Sequence, residues 1–192
     1  ELMQSEQGSI FLMNTCLELA EDVELYASTI LLLPGGHLKC NGHKITADID
    51  TFDNPYPVLW LTGNTVVQDC DVETINGRED AGIVAEGDSL LENVEWYGPA
   101  PVAVFLQDNA KASNVITRDY EFHGFYMVDS SEATYSHALG FGSNGFTLHD
   151  DSFVSYSQSS ANTIDGFDFF DNAGGDNLLA YDNWHGFHAN SE

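Results

Sequence analysis

Basic residues are scarce in this sequence, where 5 lysines and arginines stand against 31 aspartates and glutamates, for a net charge of −26. Proteins that bind nucleic acid need a basic surface to neutralise the phosphates, so this composition excludes a nucleic-acid partner. Docking on anionic lipid is excluded for the same reason, and no apolar run approaches the ~20 residues that span a bilayer. The excess of acid instead predicts a chain that attracts cations.

Cysteine is also rare, with Cys16, Cys40 and Cys70 all in the first third of the chain. An odd count allows one disulfide and one free thiol, for example a Cys16–Cys40 bridge, and no C-x-x-C metal pattern is present. Together with the acidity, this favours an extracellular or cell-surface location, although the sequence has no N-x-S/T glycosylation site. Because the chain opens on Glu1 rather than Met, we expect a mature product or a fragment.

Several common catalytic motifs are missing as well. The sequence has no G-x-S-x-G, no P-loop, no H-E-x-x-H and no dinucleotide-binding fingerprint. Its seven histidines do not occur at the helical spacing of a metal site. We therefore expect no organic cofactor and none of the enzyme classes that these motifs define.

What the sequence does contain is a regular repeat of Gly-Phe. Four of its Gly-Phe pairs begin at Gly124, Gly145, Gly166 and Gly186, which are 21, 21 and 20 residues apart. With the glycine as position one, position two is apolar in seven successive units: Leu59, Ile83, Val104, Phe125, Phe146, Phe167 and Phe187. Position four is also apolar, while positions three and five are mixed. This alternation is typical of a strand with one buried face.

Turn-forming residues follow each of these strands. Position six is aspartate in four successive units: Asp108, Asp129, Asp150 and Asp171. Position twelve is rich in asparagine: Asn93, Asn114 and Asn177. A unit of this length has no room for a strand and a crossover helix, but it fits a coil of short strands separated by bends. The sequence thus predicts an all-β fold, a parallel β-helix solenoid with coils of about 21 residues that stack at about 4.8 Å.

The stretch ILLLPGGHLKCNGHKIT (residues 30–46) resembles the opening coil of right-handed parallel β-helix proteins of the pectate-lyase-like superfamily. The asparagines at position twelve resemble the asparagine ladder of these proteins, in which stacked amides cap a bend. The resemblance covers roughly residues 28–190 and implies the right-handed fold. It does not imply one activity, because the superfamily includes lyases, epimerases, hydrolases, adhesins and tail-spike proteins.

The sequence divides into two unequal parts. Residues 1–27 are predicted to be an N-terminal strand or cap segment, because apolar residues alternate between Leu17 and Leu25. Residues 28–192 are predicted to be a single β-helix domain, with the segment INGRED (residues 75–80) as its one protruding loop. The terminal coils of a solenoid need a polar cover, and the final stretch GFHANSE shows no cap.

The aspartates at position six predict a column of carboxylates, called here the Asp column (Asp108, Asp129, Asp150 and Asp171). Two carboxylates ~5 Å apart repel by roughly 1 kcal/mol in water and by several times that at a protein surface. A bridging cation, raised pKa values, or hydrogen bonds from backbone N–H groups in each turn would relieve this repulsion. Calcium suits the first arrangement because it prefers oxygen ligands, so the Asp column is the candidate calcium site.

A row of polar side chains on the outward side of the strands is the candidate active site. Tyr126, His149 and Asp168 are the candidate catalytic residues, because enzymes of this family work on such an exposed sheet. The resemblance implies an acid and a base that abstract the C5 proton of a uronate. Two alternatives to an active site are a solvated polar face and a non-catalytic contact with a sugar or an ion. They are favoured by the uniform coils, which leave no long loops to wall a cleft, and by the small number of basic residues.

These features leave three functions open. Uniform coils and the lack of basic groups favour a non-catalytic extracellular β-helix, a structural or filament-forming component associated with calcium and carbohydrate. A final coil without a cap exposes N–H and C=O groups, so we expect the chain to associate with itself end to end. The alternatives are a calcium-assisted lyase or epimerase that acts on an acidic polysaccharide, and a carbohydrate-binding module.

Overall fold

The computed structural model describes residues 9–26, 28–48, 57–75 and 81–190. These residues form an all-β parallel solenoid of about eight turns with a spacing of about 21 residues, and they contain no helix. The fold class predicted from the repeat is therefore confirmed. Within these ranges nothing helical is long and apolar enough to cross a membrane.

One side of the solenoid is a parallel sheet of nine strands, called here the first sheet. Each coil adds one strand to the edge left by the coil before it. Numbered in chain order through the whole protein, its strands are β1 (Ile10–Leu12), β4 (Ile30–Leu32), β7 (Leu59–Leu61), β9 (Ala81–Ala85), β11 (Val102–Leu106), β13 (His123–Met127), β16 (Asn144–Leu148), β19 (Asp165–Phe170) and β22 (His185–Asn190).

The remaining strands form a second, bent sheet of thirteen strands with two limbs. These strands are β2 (Cys16–Glu18), β3 (Val23–Tyr26), β5 (His37–Lys39), β6 (Lys44–Asp48), β8 (Val66–Thr74), β10 (Leu90–Tyr97), β12 (Lys111–Arg118), β14 (Glu132–Thr134), β15 (His137–Leu139), β17 (Phe153–Ser155), β18 (Gln158–Ser160), β20 (Gly174–Asp176) and β21 (Leu179–Tyr181). In β8, β10 and β12 one continuous strand runs through both limbs, whereas the other coils divide them into two short strands.

The bend between the two limbs is made by residues with left-handed backbone, which Asn and Asp tolerate. The φ angle is 54° at Asp69, 53° at Asn93 and 54° at Asn114. The amide of Asn93 donates to Asp69 Oδ1 at 2.9 Å, and that of Asn114 donates to Asn93 Oδ1 at 2.9 Å. An asparagine ladder thus links these coils, and in the next two the rings of Tyr135 and Tyr156 continue the column with centroids 5.2 Å apart.

The interior confirms the predicted column at position two. The register pairs Phe125 with Phe146, Phe146 with Phe167, and Phe167 with Phe187. The ring centroids of these pairs lie 4.5, 4.9 and 5.4 Å apart, and the first three rings are fully buried. This aromatic stack is the core of the later coils, and smaller aliphatic side chains take its place in the earlier ones.

Position one is glycine at four places where a β-carbon would collide with a neighbour: Gly82, Gly124, Gly145 and Gly166. A β-carbon on Gly145 would lie 1.9 Å from Ser159 Oγ on the second sheet and 2.8 Å from the carbonyl oxygen of Gly166 on the next coil. On Gly82 it would lie 2.3 Å from the ring of Trp96, which is fully buried. At these glycines the two sheets approach each other too closely for a β-carbon, whereas Val58 and Ala103 occupy position one in two other coils. The phenylalanine that follows position one in the later coils fills the wider interior.

The N-terminal segment is built into the same sheets. Its strands β1, β2 and β3 pair in parallel with β4, β5 and β6, so the strand prediction for this segment is confirmed where the structure describes it. That the segment caps the solenoid stays a prediction. Residues 76–80 of the predicted loop lie outside the described residues.

One disulfide and one free thiol are present, an arrangement that the odd cysteine count allows. The bridge joins Cys40 to Cys70, with Cα atoms 4.8 Å apart, and Cys16 is exposed and unpaired. The Cys16–Cys40 pairing suggested by the sequence is wrong. Cys16 instead begins β2, where it pairs with His37 on the neighbouring strand.

Candidate functional site

Four successive coils carry a polar residue on each side of the Gly-Phe pair, in the order H-G-F-Y, N-G-F-T, D-G-F-D and H-G-F-H. The register pairs Asp165 with His185 and Asp168 with His188, but it skips the glycine between them. The skipped residue breaks the strict alternation of the strand. Two polar residues three positions apart therefore lie on the same outward face of the first sheet instead of on opposite faces.

The last two of these motifs bring four ionisable side chains together, called here the Asp-His cluster (Asp165, Asp168, His185 and His188). Nδ1 of His185 lies 2.9 Å from Asp165 Oδ1. Nδ1 of His188 lies 3.1 Å from Asp168 Oδ1 and 3.6 Å from Asp165 Oδ2. Both carboxylates are buried, with only 3% of Asp165 and 6% of Asp168 exposed, whereas the histidines are exposed.

Neighbouring amides and a hydroxyl hold the cluster in place. The Asn144 amide donates to Asp168 Oδ2 at 3.3 Å and to Thr147 Oγ1 at 3.3 Å. On the other side, the Asn190 amide donates to Asp168 Oδ1 at 3.2 Å. His123 Nδ1 lies 2.9 Å from Thr147 Oγ1 and extends the network to the fourth coil. The polar face is thus one connected network rather than a set of independently solvated groups.

Burial dominates the electrostatics of this face. It raises the pKa of Asp168, and the nearby charge of Asp165 raises it further, while His188 opposes both effects. Burial also lowers the pKa of His123, with a smaller contribution from His149. Two close, buried carboxylates are costly unless positive charge or a metal ion compensates them.

The three predicted catalytic residues are only partly brought together. The rings of Tyr126 and His149 lie 5.3 Å apart, and the pKa of Tyr126 is raised by burial and then by Asp150. His149 stacks on Phe170 at 4.4 Å with an interplanar angle of 6°. The hydrogen bonds of Asp168 go instead to the asparagines and to His188. A catalytic role for Tyr126, His149 and Asp168 stays a prediction.

The Asp column is where the sequence placed it, and backbone donors satisfy it. Oδ2 of Asp108 accepts the N–H of Gly87 at 3.0 Å, and Oδ2 of Asp129 accepts that of Asp108 at 3.2 Å. Asp150 and Asp171 repeat the contact at 3.2 and 3.3 Å. The donors belong to the preceding coil rather than to the same turn. These hydrogen bonds from backbone N–H groups stabilise the ionised carboxylates of the Asp column. Calcium at the Asp column stays a prediction.

Apolar side chains line the corner just before the polar face, called here the apolar corner (Phe122, Phe141, Ile164 and Trp184). Phe141 and Trp184 are each 78% exposed. Phe122, Ile164 and Trp184 directly precede the first polar residue of their motifs. The repeat did not single out this corner, although an apolar residue before three of the four motifs was a visible signal. Phe141 and Trp184 are the most exposed of the large apolar side chains among the described residues.

A groove of about 400 Å³ lies on the second sheet and is lined by Lys44, Asp71, Val72, Glu73, Glu95 and Tyr97. Its carboxylates are largely neutralised already. Lys44 Nζ lies 2.9 Å from Glu73 Oε2, and Arg118 Nε lies 2.6 Å from Glu95 Oε1. Burial raises the pKa of Asp71, and Glu95 adds to the effect. The groove is thus a weaker candidate than the network on the first sheet.

Comparison of the chain with protein-family models, with curated proteins and with solved structures gave no match.

Proposed function

We propose that the protein is a non-catalytic extracellular β-helix that binds an uncharged polysaccharide at the apolar corner and the adjoining polar face. The observation that carries the proposal is the exposure of Trp184, which directly precedes His185 of this network, and of Phe141, which comes three residues before Asn144. Sugar rings pack their C–H faces against aromatic side chains, while their hydroxyls bond to Asn, His and carboxylate groups. An open solenoid side suits a long polymer better than a small molecule.

The charge of the protein decides which kind of polysaccharide fits. Four of its basic residues, Lys39, Lys44, Lys111 and Arg118, lie on strands of the second sheet, and Arg78 lies outside the described residues. Lys111 and Arg118 are also paired with Glu132 and Glu95. The described part of the first sheet therefore offers an anionic polymer no lysine or arginine, on a protein of net charge −26.

The lack of lysine and arginine on the described strands of the first sheet also constrains the alternative of a calcium-assisted lyase or epimerase. Proton abstraction next to a uronate carboxylate needs a base and a positive group that stabilises the resulting anion, and on this sheet calcium would have to supply that charge. The contact between Tyr126 and His149 is the observation that favours this alternative. An ultraviolet assay for unsaturated uronate on pectate and alginate tests it, and turnover that is lost in His149→Ala would replace the binding proposal.

Location and family are part of the proposal. The Cys40–Cys70 disulfide supports an oxidising, extracellular setting. The asparagine ladder at the bend supports membership of the pectate-lyase-like superfamily. Calcium at the Asp column and end-to-end association stay predictions, and size-exclusion chromatography with and without a chelator tests both.

Affinity electrophoresis in gels that contain β-glucan, xylan, mannan or polygalacturonate tests the binding proposal. We expect a neutral polymer to retard the protein, and Phe141→Ala and Trp184→Ala each to weaken retardation at least ~tenfold. Phe153→Ala is the matched control, because Phe153 is an exposed ring on the second sheet. Retardation by polygalacturonate alone, or equal retardation of all variants, would contradict the proposal.

A further inference from the structure

We propose that the Asp-His cluster is a binding site for a divalent transition ion of the zinc class. The proposal does not depend on glycan binding, and it concerns residues other than the Asp column. Its basis is the juxtaposition of two buried carboxylates with two imidazoles on neighbouring coils.

The distances within the cluster fit a common metal. Ligand atoms of Asp165, Asp168 and His188 all lie within 4.8 Å of one another. Oxygen and nitrogen ligands about 2.0–2.1 Å from a tetrahedral zinc ion lie about 3.3–3.4 Å from each other. The contacts of His188 Nδ1 with Asp168 Oδ1 at 3.1 Å and with Asp165 Oδ2 at 3.6 Å lie on either side of this value. Small shifts of the side chains are enough to hold an ion.

The sequence makes this set of ligands in one place among the described coils. The motifs H-G-F-Y and N-G-F-T supply no carboxylate at the flanking positions. Only where D-G-F-D lies under H-G-F-H do two carboxylates face two imidazoles, because Asp165 pairs with His185 and Asp168 with His188. His185, whose Nδ1 lies 2.9 Å from Asp165 Oδ1, stands outside the three residues whose ligand atoms already lie within 4.8 Å of one another, and a rotation of its exposed ring would make it the fourth ligand.

Groups around the cluster act as supports for such a site. The amides of Asn144 and Asn190 each donate to Asp168, on opposite oxygens. Hydrogen bonds of this kind orient ligating carboxylates in metal proteins. Both aspartates are more than nine-tenths buried, and a bound cation would compensate their charge.

The donor set also selects the ion. Calcium and magnesium take oxygen ligands, whereas imidazole favours zinc, copper, iron and nickel. A cluster with two imidazoles and two carboxylates should therefore discriminate against calcium. A general attraction of cations to acidic surface would not discriminate in this way.

Isothermal titration calorimetry with zinc chloride on the chelator-treated full chain tests the site. We expect one ion per chain, with binding retained in a large excess of calcium. Asp168→Asn and His188→Gln should each weaken binding at least ~100-fold, since removing an outer-shell partner alone costs 10–100-fold. His188 is exposed, so His188→Gln decides the result even where Asp168→Asn fails to fold.

Asp151→Asn is the matched control. It removes the same charge on an exposed turn, and Asn109 and Asn172 already occupy this position of the turn in other coils. We expect this variant to bind zinc like the parent. The proposal is overturned by the absence of saturable binding, by displacement with calcium, or by unchanged affinity in the foldable cluster variants.

Discussion

At the scale of single residues, the glycines at position one have a role that their backbone angles do not require. A β-carbon on Gly124, Gly145 or Gly166 would lie too close to a carbonyl oxygen of the next coil and to side chains packed from the second sheet. Their contribution is close approach rather than conformational freedom. The Gly-Phe repeat thus reflects packing: the glycine lets the two sheets approach each other, and the phenylalanine that follows it fills the interior.

Gly145→Ala should therefore destabilise the fold by about 1–3 kcal/mol or more, because the new methyl group would collide with Ser159 and with the Gly166 carbonyl. Urea unfolding measures the change. Gly174→Ala is the control, since a β-carbon there meets only the Phe153 ring, at 3.6 Å. We expect this control to be neutral or slightly stabilising, and equal losses in both variants would contradict this packing role of the glycine.

His123 gives the polar face a dependence on pH. Its pKa is lowered in the folded protein, mainly by burial, so the unfolded chain takes up the proton first as the pH falls. Stability should then decrease as the pH drops below about 6.5, the ordinary pKa of histidine, and should be unaffected by this group above it.

Thermal unfolding between pH 8 and pH 5 checks this effect. His123→Gln should reduce the loss of stability on acidification. His137, whose pKa is lowered by burial and then by Arg118, lies on the second sheet and should contribute separately. The double variant should thus have a flatter profile than either single variant, and an unchanged profile in His123→Gln would refute the assignment.

At the scale of elements, the disulfide ties two neighbouring coils near the N-terminal end. It closes a loop with a sequence separation of 30, and such a loop is worth about 3–4 kcal/mol in chain entropy. We expect Cys40→Ala/Cys70→Ala to lower the free energy of unfolding by that amount. Cys16→Ser should leave it unchanged, because Cys16 is exposed and unpaired. A larger loss in Cys16→Ser would show that the bridge is wrongly assigned.

The repeat predicted the elements well wherever it is regular. The spacing of 21 placed Phe125, Phe146 and Phe167 in one column because parallel strands pair in register. It failed at the coil between Ile30 and its partner Leu59, which is longer than the repeat. The Cys40–Cys70 bridge spans that long coil, so the regular spacing could not identify it.

The site was predicted less completely than the fold. The spacing of 20 residues puts Asp168 level with His188 and Asp165 level with His185, and the strand register pairs them in this way. The sequence predicted a polar row on the outward side of the strands, but it did not predict the Asp-His cluster, because strict alternation puts residues three apart on opposite faces. The irregularity at the glycine depends on contacts with the second sheet, which a strand pattern alone does not contain.

At the scale of the whole molecule, the excess of negative charge opposes the compact state. A protein of net charge −26 repels itself, and salt screens this repulsion. Raising sodium chloride from 10 mM to 1 M shortens the Debye length from about 30 Å to about 3 Å, so the melting temperature should rise. Tetramethylammonium chloride should have the same effect, and a rise with sodium only would indicate specific ion binding instead.

The contact between Gly82 and the Trp96 ring has a consequence for how such a chain changes during evolution. The two positions share one volume, so neither can vary alone. In descendants that replace the tryptophan with a small residue, position 82 becomes free to acquire a side chain, and in those that keep it, glycine is obligatory. Substitutions at the two positions should therefore be correlated across a lineage, although 14 residues separate them along the chain.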